Sequence, residues 1–320
     1  MPVLSILLLG TPEIRWDQRI ITIPRRMPRA LLFYLAAHKN LVTREEVLSI
    51  LWDEKPVNQS RLRFNESLSR LRSSLPSPTL VITEGDLIGL NFEQVHVDLH
   101  LFEDLISQVG ARPWQIPNNN LLPDHLANSL QAAIELWRGN TFMAGGVIPS
   151  TLAFDAWLAQ TATRTMRLRG RILERLAEHA YITGDLEGAL HKARLALEND
   201  EYNSNLHYRV MECLIEQGYP HQAREYYDHV RGMLQRDLNI QPPANLVALV
   251  ERLPKLHSEP RASALQHWEV HPSMKVPFVG RKDILLKMWQ VFNQHKSLFI
   301  LGEAGQGKTR LIQEYIKRLH

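Results

Sequence analysis

Residues 58–75 decide the fold of the first part of the chain, and they read NQSRLRFNESLSRLRSSL. Apolar side chains recur there at spacings of four, three and four residues, at Phe64, Leu68, Leu71 and Leu75. This period predicts an amphipathic helix with one buried stripe, ending before Pro76. At about 100° per residue, the side chains opposite the stripe are polar: Arg63, Glu66, Ser69, Arg70 and Ser73. One flank of the helix carries Arg61, Asn65 and Arg72.

Short β-type runs and two further helices surround this helix. Val3–Leu9, Glu13–Trp16 and Arg19–Ile23 predict a small antiparallel sheet. Thr43 followed by Glu46 forms a capping box that predicts the start of the helix before residues 58–75. The runs on both sides of Glu84-Gly85-Asp86 predict a β-hairpin. Sheet, three helices and hairpin together predict a winged helix-turn-helix over residues 1–95.

The polar face of residues 58–75 has the chemistry that the major groove requires. Arginine reads guanine with two hydrogen bonds, asparagine reads adenine, and serine donates to phosphate or to a base edge. A solvated face is the ordinary interpretation of an arginine-rich helix, but the position between a helix-turn and a hairpin favours DNA contact. Arg25, Arg26 and Arg29 near the first helix are phosphate-contact candidates, with a solvated surface as an equally weighted alternative.

Helical patterns follow over residues 96–255. Gly184 and Gly218 lie 34 residues apart, as do Ala189 and Ala223. This is the period of tetratricopeptide repeats, in which paired helices stack with small residues at their contacts. Proline, serine and histidine over residues 256–274 predict a linker before a third unit at 275–320. The predicted fold class is therefore mixed and mostly α.

Several longer motifs occur within residues 3–253: MPRALLFYLAAH (27–38), TREEV (43–47), SRLR (69–72), LWRG (136–139), DAWL (155–158) and DLNIQP (237–242). Together they resemble the SARP family of bacterial transcriptional regulators. This resemblance implies a winged-helix DNA-binding domain followed by a helical bacterial transcriptional activator domain. It also implies that two protomers bind directly repeated promoter sequences side by side and recruit RNA polymerase. The wing departs from the family pattern because Glu84 and Asp86 would repel phosphate, which argues against minor-groove contact there.

A phosphate-binding loop follows an apolar run, LFIL (298–301). The loop reads GEAGQGKT (302–309), and an amphipathic helix begins after it. In this pattern Gly302, Gly305 and Gly307 let backbone N–H groups wrap phosphates, and Lys308 reaches the β- and γ-phosphate oxygens. Thr309 would ligate Mg²⁺. The segment FVGR (278–281), with Val279, Gly280 and Arg281, resembles the stretch that lies against adenine in STAND-type signalling ATPases.

The chain stops 11 residues after Thr309, before any second strand with a Mg²⁺-positioning or water-activating carboxylate. We therefore expect a fragment of a longer protein that does not hydrolyse ATP. ATP with Mg²⁺ is expected in the full-length protein, whereas the fragment requires no cofactor.

Composition excludes several other classes. The single cysteine, Cys213, rules out an internal disulfide framework and fits a reducing, cytoplasmic location. No apolar run reaches the roughly 20 residues of a membrane span. The histidines form no close pairs with carboxylates on a helix face, so no metal site beyond Thr309 is predicted. The arginines of residues 164–175 spread over more than one helix face, which favours a solvated helix over an interdomain or phosphate contact.

Two functions remain open from the sequence. The first is a sequence-specific DNA-binding regulator, acting as an activator, whose output an ATP-binding module gates. The second is an NTPase-linked signalling scaffold that uses the helical repeats, with the winged helix as a protein-interaction module.

Overall fold

A computed structural model describes the protein over residues 3–53, 56–107, 121–145 and 151–253.

The N-terminal strands form a mixed sheet. The sheet has the order β3-β2-β1-β7, formed by β1 (Leu4–Leu7), β2 (Glu13–Trp16), β3 (Arg19–Ile20) and β7 (Val95–Val97). β1 pairs antiparallel with β2 but parallel with β7. The predicted antiparallel pairing of the first three strands is confirmed, since β2 also pairs antiparallel with β3. β7 returns to β1 only after the three helices of the winged helix and so runs in the same direction as β1.

A second sheet carries the wing. It has the order β4-β6-β5, formed by β4 (Val42–Thr43), β5 (Val81–Glu84) and β6 (Leu87–Leu90). Glu84 pairs with Leu87 across a two-residue loop, in which Gly85 has φ +59°. Glycine at the first loop position meets the positive φ that tight hairpins require there. The predicted hairpin is confirmed.

The helices of the winged helix are α1 (Arg26–Ala36), α2 (Arg44–Leu51) and α3 (Val57–Ser74). The Thr43 hydroxyl accepts a hydrogen bond from the Glu46 backbone N–H at 3.1 Å, as the predicted cap requires. The Glu46 carboxylate accepts a hydrogen bond from the Tyr34 hydroxyl at 2.8 Å. Glu46 therefore also ties α2 to α1.

The rest of the described chain is helical. Its helices are α4 (Asp98–Ser107), α5 (Asp124–Glu135), α6 (Leu152–Ile182), α7 (Leu186–Leu197), α8 (Ser204–Glu216), α9 (Pro220–Asp237) and α10 (Ala244–Glu251). In the described residues no helix is long and apolar enough to cross a bilayer.

Helices α6 and α8 end in the same way, 34 residues apart. Gly184 has φ +85° and Gly218 has φ +83°. After α6 the Asp185 N–H bonds to the Ala180 carbonyl, and after α8 the Tyr219 N–H bonds to the Leu214 carbonyl, both at 2.8 Å. This is the Schellman motif, in which glycine adopts the left-handed conformation without steric cost. The repeat is thus a pair of equivalent helical turns, and its assignment as a tetratricopeptide repeat stays a prediction.

One hydrophobic core joins the winged helix to the first of the helices that follow it. It contains Ile6 and Leu31 together with Leu126 of α5 and Phe154 of α6. A second core lies among α6, α7, α8, α9 and α10. The predicted division between residues 95 and 96 falls inside β7. Because α6 contributes to both cores, it links the winged helix to the repeats.

Two arginines of residues 164–175 do not match the predicted solvated helix. Arg169 is 4% exposed and Arg175 is 2% exposed. The Arg169 guanidinium lies 5.1 Å from the centre of the Trp137 ring. Arg164, Arg167 and Arg171 are exposed, as predicted. The prediction failed for the buried pair because α6 packs on two sides, so more than one of its faces is covered.

Candidate nucleic-acid interface

Helix α3 has the amphipathic character that its sequence predicts. Phe64, Leu68 and Leu71 are at most 6% exposed and pack in the core of the winged helix. Trp52 contacts Phe64 edge-to-face, with ring centres 6.1 Å apart. This packing fixes the rotation of α3 about its axis, and its polar face is left in solvent.

The predicted DNA-contact residues of α3 occupy this outer face. The exposed ones are Arg61, Arg63, Asn65, Glu66, Ser69 and Ser73. The Ser73 hydroxyl donates to the Ser69 carbonyl at 3.0 Å. Its oxygen remains available as an acceptor, since a hydroxyl donates once and accepts twice.

An open groove of about 560 Å³ runs beside the exposed face of α3. Its lining includes four predicted residues, Asn65, Ser69, Arg72 and Ser73, and also Arg44 at the start of α2. Arg44 was not among the contact residues predicted from the sequence. Its position directly after the cap residue Thr43 could have indicated it, since a cap places the next residue in the first turn of α2, and this turn is held beside α3.

Arg70 is held by an ion pair within the helix. Its guanidinium contacts the Glu66 carboxylate one turn earlier, and both side chains stay largely exposed. An exposed pair of this kind stabilises a helix by only about 0.3–0.5 kcal/mol. Its main effect is to restrict where the Arg70 guanidinium points in the free protein.

Arg72 and Arg29 have partners within the fold. The Arg72 guanidinium donates to the Val81 carbonyl at 3.1 Å and to the Thr83 hydroxyl at 3.2 Å, so it ties α3 to the wing. Arg29 lies on α1, and its guanidinium donates to the Ile23 carbonyl at 3.4 Å. These two arginines therefore stabilise the winged helix, and their DNA contacts stay predictions.

The tip of the wing is acidic and exposed. Glu84 and Asp86 both face solvent. The Asp86 carbonyl accepts a hydrogen bond from the Arg44 backbone N–H at 2.8 Å, which fixes the hairpin against α2. Two carboxylates at a fixed position disfavour a close phosphate.

The predicted nucleotide-binding residues lie outside the described residues. They are Val279, Gly280, Arg281, Gly302, Gly305, Gly307, Lys308 and Thr309. In the described part of the chain, no cluster of histidine, cysteine and carboxylate residues is arranged to hold a metal ion.

The comparisons with known proteins bear on the helical part of the chain. Residues 97–253 match the bacterial transcriptional activator domain. The matched segment covers α4 to α10. No curated protein matches the chain.

A solved structure shares the fold. Mycobacterium tuberculosis EmbR, determined in complex with a low-affinity phosphopeptide, aligns with a TM-score of 0.58 and 19% sequence identity. The alignment covers 79% of this chain and 65% of the EmbR chain. At this identity the likeness to EmbR shows a shared fold alone.

Proposed function

We propose that this protein is a sequence-specific DNA-binding regulator that activates transcription by docking α3 in the major groove of promoter DNA. One observation carries the proposal: the packing of Phe64, Leu68 and Leu71 turns a face of arginine, asparagine and serine outward. An α-helix fits the major groove, and these side chains match its donor and acceptor pattern.

Roles on this face follow from side-chain chemistry. Arg63 and Arg70 are suited to guanine, and Asn65 is suited to adenine. Arg61, Ser69, Ser73 and the newly identified Arg44 are suited to phosphate contacts that set the position of the helix. Glu66 holds Arg70 and can accept from cytosine.

The activator domain supplies the second half of the proposal. We infer that two protomers bind directly repeated half-sites and that α4 to α10 recruit RNA polymerase. The match over residues 97–253 supports the transcriptional role. The core that the winged helix shares with α5 and α6 supports a coupling between the two halves of the chain, because a movement of α6 would be transmitted to α1 and α2.

Nucleotide gating is proposed from the loop at residues 302–309. Lys308 and Thr309 would hold the phosphates of ATP and its Mg²⁺. Titration with a fluorescent ATP analogue tests this step. Binding that requires Mg²⁺ and is lost in Lys308→Ala is expected, whereas equal binding by the variant would contradict it.

The Arg70→Ala variant tests the DNA-binding proposal. We expect its affinity for a selected duplex to fall about tenfold, with an unchanged melting temperature, because the side chain is exposed. Arg231→Ala is the matched control, since Arg231 is also an exposed helical arginine paired with a carboxylate on its own helix. Equal affinity of wild type and Arg70→Ala would oppose the proposal.

An NTPase-linked signalling scaffold is the second candidate, and the acidic wing favours it. In that case the winged helix binds a protein, and Glu84 and Asp86 contact it. Arg70→Ala would then leave the partner complex intact, while Glu84→Lys would weaken it.

A further inference from the structure

Leu62 is an apolar residue in the middle of the polar face of α3. It is 71% exposed in the free protein. It lies two positions before Phe64, which places the two side chains about 160° apart around the helix. Since Phe64 is buried, Leu62 points almost directly away from the core. Single exposed leucines are common on protein surfaces, so what distinguishes Leu62 is its position at the centre of a polar helix face.

The neighbours of Leu62 belong to the proposed reading face. Asn65 and Glu66 lie three and four residues later, so they are adjacent to Leu62 on the helix surface. Ser69 lies seven residues later, about two turns farther along the same face. Leu62 is also in the second turn of α3, which begins at Val57. The N-terminal turns of a recognition helix are those that reach base edges.

The major groove contains one apolar group, the C5-methyl of thymine. An adenine read by Asn65 is paired with thymine, so a methyl group lies in the groove on the same base pair. We propose that Leu62 contacts a thymine methyl on the base pair read by Asn65 or on the adjacent one, and so determines specificity for thymine at that position. This inference rests on the proposed function. It implies that the DNA sequence read by α3 contains at least one A·T pair in each half-site.

Removal of one methyl group from the DNA tests this contact without altering any base-pair hydrogen bond. Duplexes recovered from a randomised pool by the full chain provide the site. Each thymine of the half-site is then replaced, one at a time, by deoxyuridine, and Kd is measured by fluorescence anisotropy. Leu62→Ala is measured on the same duplexes, with melting temperature as the folding check. Leu101→Ala is the matched control, because Leu101 is an exposed leucine of α4.

The expected result is a coupling between one thymine and Leu62. For the wild type, deoxyuridine at that position weakens binding about fourfold, the value for one buried methyl group. Leu62→Ala weakens binding to the thymine duplex about tenfold and loses its sensitivity to the methyl group. Leu101→Ala behaves as the wild type.

Failure of this inference and failure of the proposed function give different results. Suppose that the pool yields a common motif, but that wild type and Leu62→Ala respond equally to loss of the thymine methyl group. This result overturns the thymine contact and leaves DNA reading intact. Unchanged affinity of Leu62→Ala overturns it too and points to a protein partner for this face. A pool that yields no common motif overturns both.

Discussion

The Asp98 carboxylate lies 4.0 Å from the Arg138 guanidinium and accepts hydrogen bonds from the backbone N–H groups of Leu8 and Leu9, at 2.7 and 3.0 Å. Burial raises the pKa of the Asp98 carboxyl, while these N–H groups and Arg138 act in the opposite direction. The Arg138 backbone N–H in turn donates to the Leu9 carbonyl at 3.0 Å. One buried carboxylate thus joins the end of β1, the start of α4 and the turn after α5.

Asp98→Ala should destabilise the protein by about 3 kcal/mol. The substitution leaves two buried backbone donors without an acceptor and removes one of the two carboxylates that face Arg138. Urea denaturation measures the change in the free energy of unfolding. Asp228→Ala, which removes an exposed carboxylate paired with Arg231, should cost less than about 0.5 kcal/mol. Equal losses in the two variants would refute this role of Asp98.

A chain ending at residue 97 should not fold cooperatively by itself. Truncation removes Asp98, Phe154 and Trp157, and the Trp157 ring lies 4.9 Å from the buried ring of Tyr34. The core of the winged helix would then be open to water. Thermal melting followed by circular dichroism should give a broad transition for residues 1–97 and a sharp one for residues 1–253. A sharp transition for residues 1–97 would show that the winged helix has a sufficient core of its own.

His100 should make the protein less stable at acidic pH. Burial, and secondarily Lys39, lower its pKa to about 4 from an ordinary value of 6.5. The unfolded chain therefore binds the proton first as the pH falls, so stability is full above about pH 6.5 and decreases toward pH 4. Between pH 7 and pH 5, the wild type should lose about 1–2 kcal/mol more than His100→Gln.

Denaturation at both pH values provides the measurement for His100. His221→Gln is the control because His221 is exposed on α9. Its pH dependence should run parallel to that of the wild type. A parallel curve for His100→Gln as well would exclude the proposed contribution of His100.

Arg72→Ala should lower stability, in contrast to substitution of the exposed arginines of α3. It removes both hydrogen bonds from α3 to β5, and we expect a loss of about 1–2 kcal/mol. Arg63→Ala should change stability by less than about 0.5 kcal/mol because Arg63 is exposed. If the two variants unfold at the same urea concentration, the link between α3 and the wing contributes little.

Local patterns in the sequence predicted most of the winged helix. The spacing from Phe64 to Leu75 located α3 to within one residue at each end, because a buried stripe requires a helical period. Thr43 located the start of α2 through its hydroxyl, which caps the helix. These features depend on residues a few positions apart, so the sequence alone is sufficient to find them.

Features that depend on distant residues were not predictable in this way. The parallel pairing of β1 with β7 joins Leu4 to Val95, and no local pattern reports it. The burial of Arg169 depends on Trp137, 32 residues earlier. Arg44 and Leu62 were missed for different reasons: Arg44 reaches the interface only through the packing of α2, and Leu62 departs from the polar character of its face.

Capture of genomic DNA tests the central claim, that α3 reads a DNA sequence, most directly. The full chain and an Arg63→Ala/Arg70→Ala variant are incubated with sheared duplex from the source organism at two salt concentrations, and the bound fragments are sequenced. We expect the wild type to enrich a repeated short motif that survives the higher salt and the variant to lose it. Capture by the wild type that disappears at the higher salt, with no common motif, would contradict the claim.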